Sequence, residues 1–149
     1  MTARIDTSPF MAEAMAEARK AQDLGEVPVG AVVVNAAGDI IGRGHNLTRT
    51  KRDPSLHAEM VAIRDAGLER LIDCDLYVTL EPCAMCAGLI SHARIRRLYY
   101  GAADAKGGAV DHGPRIFNQP TCHHAPEVYS GIGEAKAAKL LKDFFSSKR

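Results

Sequence analysis

The sequence predicts an α/β domain in which one sheet lies between helical layers. Three observations carry this reading. Short apolar runs rich in Val, Ile, Leu and Tyr alternate with segments whose apolar residues recur at helical spacing. The first two runs are separated by Ala36-Ala37-Gly38-Asp39, a turn sequence that makes them a hairpin. The 149 residues, 46% hydrophobic and 25% charged, form one domain of ordinary globular composition, long enough to bury a core without staples.

Ser8-Pro9 starts a helix, with Ser as N-cap and Pro at N1, and Phe10, Met11, Ala14, Met15 and Ala18 form its buried face. Glu13 and Glu17 lie on its polar side, Arg19 and Lys20 sit late where the dipole favours cations, and Gly25 stops it. Residues 27–34 read as a central strand and 40–45 as its hairpin partner. The polar loop 46–56 carries Arg49, Lys51 and Arg52, and it leads into a helix that buries Met60, Val61 and Ile63 and ends at Gly67. A strand at 76–80, a helix running to about His92 and a strand at 96–101 follow. The Gly- and Pro-rich stretch 102–126 is too long for a bare connector. A short strand at 127–132 precedes a helix at 134–145 with Ala137, Ala138, Leu140, Leu141, Phe144 and Phe145 inward and Lys136, Lys139 and Lys142 outward.

Two stretches carry the chemistry, His57-Ala58-Glu59 and Pro82-Cys83-Ala84-Met85-Cys86. One imidazole and two thiolates make three metal ligands. Catalytic zinc keeps three protein ligands and leaves the fourth position to water, whose pKa falls to about 7. Cys83 and Cys86, at i and i+3, share one helix face. Pro82 suits that helix's first turn, which puts both thiols at the positive end of the dipole. His57 and Glu59 cannot share a helix face, because two helical residues are about 200° apart. His57 therefore belongs at or just before a helix start, and Glu59 is placed for general acid/base work. Buried thiols and a satisfied core histidine would explain neither the paired cysteine spacing nor the proline before it.

His-Ala-Glu followed by Pro-Cys-x-x-Cys resembles the zinc-dependent nucleobase deaminases. The flanks Asp53 to Met60, Leu76 to Gly88, Glu26 to Ala31 and Gly101 to Lys106 are similar to the tRNA-specific adenosine deaminases, and the likeness runs from about Phe10 to Phe145. The resemblance implies a three-layer α/β/α cytidine-deaminase-like fold, with a five-stranded mixed sheet, helices on both faces and zinc at the start of the two central helices. It implies one Zn2+ per subunit on His57, Cys83 and Cys86, Glu59 as proton shuttle and the Ala58 backbone N–H as oxyanion donor. Asn46, Val27, Asp104, Lys106 and Phe145 become substrate-binding residues. The partners implied are a tRNA anticodon stem-loop, read at its wobble adenosine, and a second copy of the chain in a homodimer.

Plainer roles stand beside these. Asn46 suits a hairpin exit, Asp104 and Lys106 a solvated turn, and Phe144-Phe145 a core pair. Lys148 and Arg149 offer cations to an RNA stem, although Ser146 and Ser147 interrupt the basic run usual after the Phe pair in this family. After Lys106 the chain reads Gly107-Gly108-Ala109-Val110-Asp111-His112-Gly113-Pro114, departing from the Thr-Gly or Ser-Gly continuation of many such deaminases. A deaminase of free guanine or cytosine is the enzymatic alternative, and a zinc-stabilised RNA-binding module the non-enzymatic one. Cys122-His123-His124 reads as ordinary loop, since a second metal lacks ligands at usual spacing. Cys74 and Cys122 read as reduced thiols. A net charge of +1 excludes binding nucleic acid mainly by bulk charge, so RNA needs a local patch such as Arg49, Lys51 and Arg52 or Arg94, Arg96 and Arg97. No run approaches the length of a membrane span and no signal pattern opens the chain, so a cytoplasmic location is expected.

Overall fold

The structure, a computed structural model, describes residues 8–148. Five strands, β1 (Gly30–Val34), β2 (Ile40–His45), β3 (Asp75–Leu80), β4 (Arg97–Ala102) and β5 (Glu127–Tyr129), form one mixed sheet in the order β2-β1-β3-β4-β5. The β1 strand is antiparallel to β2 and β3, while β3, β4 and β5 run parallel. Among the described residues four α-helices cover the sheet: α1 (Pro9–Asp23), α2 (Ala58–Ala66), α3 (Ala84–Ala93) and α4 (Glu134–Ser147).

Strand alternation sorts the core into two layers. Ala31, Val33, Leu76, Val78, Leu98 and Tyr100 face α2 and α3, meeting Ala58, Ala62, Ala87 and Ile90. On the other face Val32, Val34 and Tyr77 meet Met11 and Ala14 of α1, and Ala102 meets Ala137 of α4. The three-layer expectation therefore holds. Gly44 lets α2 lie flush on β2, since a Cβ there would stand 2.4 Å from the Ala62 backbone nitrogen.

Several details differ from the sequence reading for local reasons. The first strand begins at Gly30 rather than residue 27, because Pro28 has no N–H for a central ladder and Val29 N–H closes instead on Val27 O at 2.8 Å. Cys83 is the N-cap of α3, so Pro82 precedes the helix rather than entering its first turn. The last strand ends at Tyr129, where left-handed Gly131 and Gly133 turn the chain into α4. Helix α2 buries Ala58, Glu59, Ala62 and Ile63, with Met60 and Val61 only half-buried. In α4, Phe144 is buried, but Ala138 and Phe145 are exposed. Glu17 is buried, accepting from Lys20 at 2.7 Å and paired with His45 Nδ1 at 2.9 Å. The long 102–126 stretch has content of its own: a 3-10 turn at Ile116–Asn118 and buried Ala109 and Val110.

The topology gathers one end of the sheet. The exits of β3 and β4, the entry to β1 and the exit of β2 lie together, as the Gly30↔His45 and Leu80↔Ala102 pairings show. Open α/β sheets bind ligands at the carboxyl ends of their parallel strands. Arg96 and Arg97 stand at the opposite end of β4, a strand of six residues and so about 20 Å away. Arg96 is held bidentately by Asp75 at 3.0 and 3.1 Å, and Arg97 Nε lies 3.5 Å from Glu127. Arg96 is thus engaged by the fold, and both arginines stand at the end of β4 away from the site. Among the described residues no helix is long and apolar enough to cross a membrane.

Candidate metal centre and its pocket

His57 is the N-cap of α2 with extended backbone, φ −71° and ψ 159°, and Cys83 caps α3 with φ −76° and ψ 177°. Neither side chain caps its own helix. Both turn instead toward one point, where Cys86 joins them from the first turn of α3. His57 Nδ1 lies 3.4 Å from Cys83 Sγ and 3.6 Å from Cys86 Sγ. A tetrahedral zinc with Zn–S of about 2.3 Å and Zn–N of about 2.05 Å would separate nitrogen from sulfur by about 3.6 Å. The donor set therefore fits zinc in type and spacing. Among the described residues it is the one His, Cys and carboxylate group close enough to share an ion. Cys122 and its neighbouring histidines form no such group; Cys122 Sγ lies 3.5 Å from Ser91 Oγ. Cys74 and Cys122 are free thiols.

Glu59 stands beside the triangle without joining it, 4% exposed. Burial pushes its carboxyl up to about 7, against the pull of its own backbone N–H, and the Cys83 thiolate adds to the rise. In the metal-free chain the Cys86 thiol hydrogen bond and then His57 pull Cys83 down to about 4. The Cys83 hydrogen bond and burial push Cys86 far up. One thiolate is thus ready for the ion, and a second proton must leave as the metal enters. A bound dication lowers the pKa of neighbouring acids in turn.

The cavity over these groups measures roughly 340 Å³ and is lined by Val27, Val29, Asn46, Thr48, His57, Glu59, Leu80, Glu81, Cys83, Asp104 and Gly107. The structure thus brings together His57, Glu59, Cys83, Asn46, Val27 and Asp104. Lys106 and Phe145 are not in the lining: Lys106 is exposed on the adjoining turn, and Phe145 is 50% exposed. Asp104 Oδ1 accepts from Lys106 N–H at 3.2 Å and Gly107 N–H at 2.9 Å, so one of its oxygens shapes the turn. Asn46 Oδ1 accepts the Ala58 N–H at 2.9 Å and its Nδ2 donates to Val27 O at 3.1 Å. Ala58 N–H, expected as an oxyanion donor, is therefore engaged in orienting Asn46. Arg149, expected near an RNA stem, lies outside the described residues.

Sequence reasoning missed two buried glutamates beneath the pocket rims. Glu26, 1% exposed, accepts from Arg49 N–H at 3.0 Å, Thr50 N–H at 2.6 Å and Thr50 Oγ1 at 2.7 Å, pinning the basic loop. Glu81, 2% exposed, holds the segment after β4. The available signal was a single carboxylate within an apolar run, as in Val78-Thr79-Leu80-Glu81-Pro82. Burial raises the Glu26 pKa, but the Thr50 and Arg49 hydrogen bonds outweigh it and the net shift is down. A depressed carboxyl contributes stability above its unfolded pKa of about 4.5 and loses it as pH falls through the folded value. Glu26→Gln should therefore cost about 2 kcal/mol at pH 7. In urea titrations, the gap between variant and wild type should close below pH 4.5; a pH-independent gap would contradict the charge-based account.

Residues 5–102 match the cytidine and deoxycytidylate deaminase zinc-binding region. The tRNA-specific adenosine deaminase of Agrobacterium fabrum is 58% identical over 144 residues, covering 94% of each chain. That of Rickettsia bellii is 47% identical, covering 93% of this chain and 99% of its own. A solved structure from work on A-to-I editing by tRNA:A34 deaminases at the wobble position superposes with a TM-score of 0.86 at 58% identity, over 89% of this chain and 98% of that one. The sheet order, the imidazole-dithiolate triangle and these likenesses agree, and the chain belongs to the zinc-binding cytidine and deoxycytidylate deaminase family, among the tRNA-specific adenosine deaminases.

Proposed function

We propose that this protein hydrolyses adenosine to inosine at the wobble position of a tRNA anticodon. The observation that carries it is the His57, Cys83 and Cys86 donor triangle with buried Glu59 beside it in a pocket, in a chain 58% identical to a tRNA-specific adenosine deaminase. His57, Cys83 and Cys86 would hold a zinc ion, which would supply Lewis acidity and lower the pKa of water to about 7.

Glu59 accepts one proton of the attacking water as the water oxygen bonds to the amino-bearing ring carbon, and passes it to the adjacent ring nitrogen; it then carries the proton of the new hydroxyl to the exocyclic nitrogen, which leaves as ammonia as the C–N bond breaks. Burial raises the Glu59 carboxyl and a bound dication pulls it back down, and a carboxyl under these opposed influences can both take and return a proton. Asn46 spends one N–H and one lone pair on Val27 and Ala58. An amide has two of each, and the second pair is offered to the edge of a flipped base. Val27 and Val29 give the base apolar walls, and Asp104 reaches the adjoining nucleotide.

Outside the pocket, exposed Phe145, edge-on to Phe144 at 5.4 Å, suits stacking against RNA, with Lys106 and Lys148 as cations. A homodimer in the cytoplasm is part of the same proposal. Sedimentation of the purified protein would detect the dimer as twice the chain mass.

The test offers an anticodon stem-loop with wobble A, free adenosine, cytidine and guanine to the zinc-loaded protein. Inosine should form in the RNA, with no ammonia from the small molecules. Ammonia from guanine or cytidine and none from RNA would replace the substrate assignment.

A further inference from the structure

One wall of the Glu59 pocket, Asp104 to Gly107, is tied to a carboxylate of the scaffold. Glu81 leaves β3 with its side chain fully buried. Its Oε1 accepts from Asp104 N–H at 3.0 Å and meets His112 Nδ1 at 2.7 Å. Its Oε2 accepts the N–H groups of Val110, Asp111 and His112 at 3.1, 2.9 and 3.2 Å. All these donors come from a single segment, and they bracket the pocket-lining residues Asp104 and Gly107. Gly108 permits the wrap, since a Cβ there would stand 2.5 Å from Glu81 Cδ. The wall is therefore held at both ends by one anion. The groups assigned to the chemistry, by contrast, sit at the starts of α2 and α3.

We propose that Glu81, together with His112, is a positioning residue that fixes the Asp104–Gly107 wall against the bound nucleotide and so sets how tightly substrate is held. This rests on the reading of the pocket as a site for RNA-borne adenosine. A loosened wall weakens binding in ground and transition states alike, which raises KM and leaves kcat nearly unchanged.

The test compares zinc-loaded wild type, Glu81→Gln, His112→Ala and His112→Asn on the anticodon stem-loop. Steady-state kinetics are paired with stem-loop Kd from fluorescence anisotropy, measured for each in a Glu59→Ala background that prevents turnover. Glu81→Gln should raise KM and Kd on the order of tenfold, with kcat within about threefold and zinc at one per chain. His112→Ala should give a smaller rise in the same direction, and His112→Asn, which keeps an N–H donor, should restore wild-type values. The His112 side chain is 37% exposed, so this pair carries the test if Glu81→Gln does not fold. Unchanged KM and Kd with only a lower melting temperature would overturn the proposal, as would a loss of zinc or kcat at unchanged Kd. Absence of inosine from the wild type would instead sink the functional reading itself.

Discussion

Glu59→Ala should keep its fold and its zinc while losing deamination on the order of 10³-fold or more, because it removes the proton carrier from a step that needs one in both directions. The carboxylate lies outside the ligand triangle, so no metal donor is lost. Removing the charge without removing the volume should stabilise the metal-free chain. A carboxyl raised from 4.5 to about 7 by burial favours the protonated form in the fold. Its contribution is fully present below pH 4.5 and lost as pH rises through 7, so that at pH 8 the native carboxylate costs about 1–3 kcal/mol. The isosteric Glu59→Gln removes that cost without opening a cavity, and should unfold at higher urea than wild type at pH 8. Zinc content by atomic absorption and inosine by chromatography check the first claim. Loss of zinc from Glu59→Ala would make Glu59 a ligand and the mechanism wrong.

Cys86→Ala should lose metal and activity together. Zinc held by four protein donors gains about 10–16 kcal/mol in small domains, so one donor carries enough to lower affinity by a hundredfold or more. Cys86 is fully buried at the start of α3, and its thiolate has no neighbouring substitute among the described residues. Competition with a zinc-binding dye gives the affinity directly. An active Cys86→Ala protein with a full equivalent of tightly bound zinc would contradict the ligand set.

The His57, Cys83 and Cys86 donor group was legible in the sequence because metal chemistry demands rare residue types at fixed spacing. His57 at a helix start follows from the angular separation of His57 and Glu59, and the structure places it as the N-cap of α2. Sequence pattern likewise located the described α-helices and strands, though not the 3-10 turn at Ile116–Asn118 or the ends of the first and last strands. What it missed has a common cause. Glu17, Glu26 and Glu81 are buried because distant backbone and side-chain donors converge on them, as Thr50 does on Glu26 from 24 residues away. An apolar run around a lone glutamate hints at its burial, but nothing local names the distant donors that make the burial possible. The same holds for Arg96 and Arg97, whose place at the far end of β4 depends on strand direction and not on their own neighbours. Phe145 was ambiguous, since adjacent positions on a helix lie about 100° apart and one of two neighbours must turn outward. The structure buries Phe144 and exposes Phe145.

The claim on which the rest depends is that zinc has three protein donors and an open position beside Glu59. X-ray absorption at the zinc edge of the metal-loaded wild-type protein tests it most directly. The account predicts two sulfurs at about 2.3 Å, one imidazole, and one further light atom that exchanges with added small anions. A third sulfur, a second imidazole or a coordinated Glu59 carboxylate filling the remaining position would contradict it.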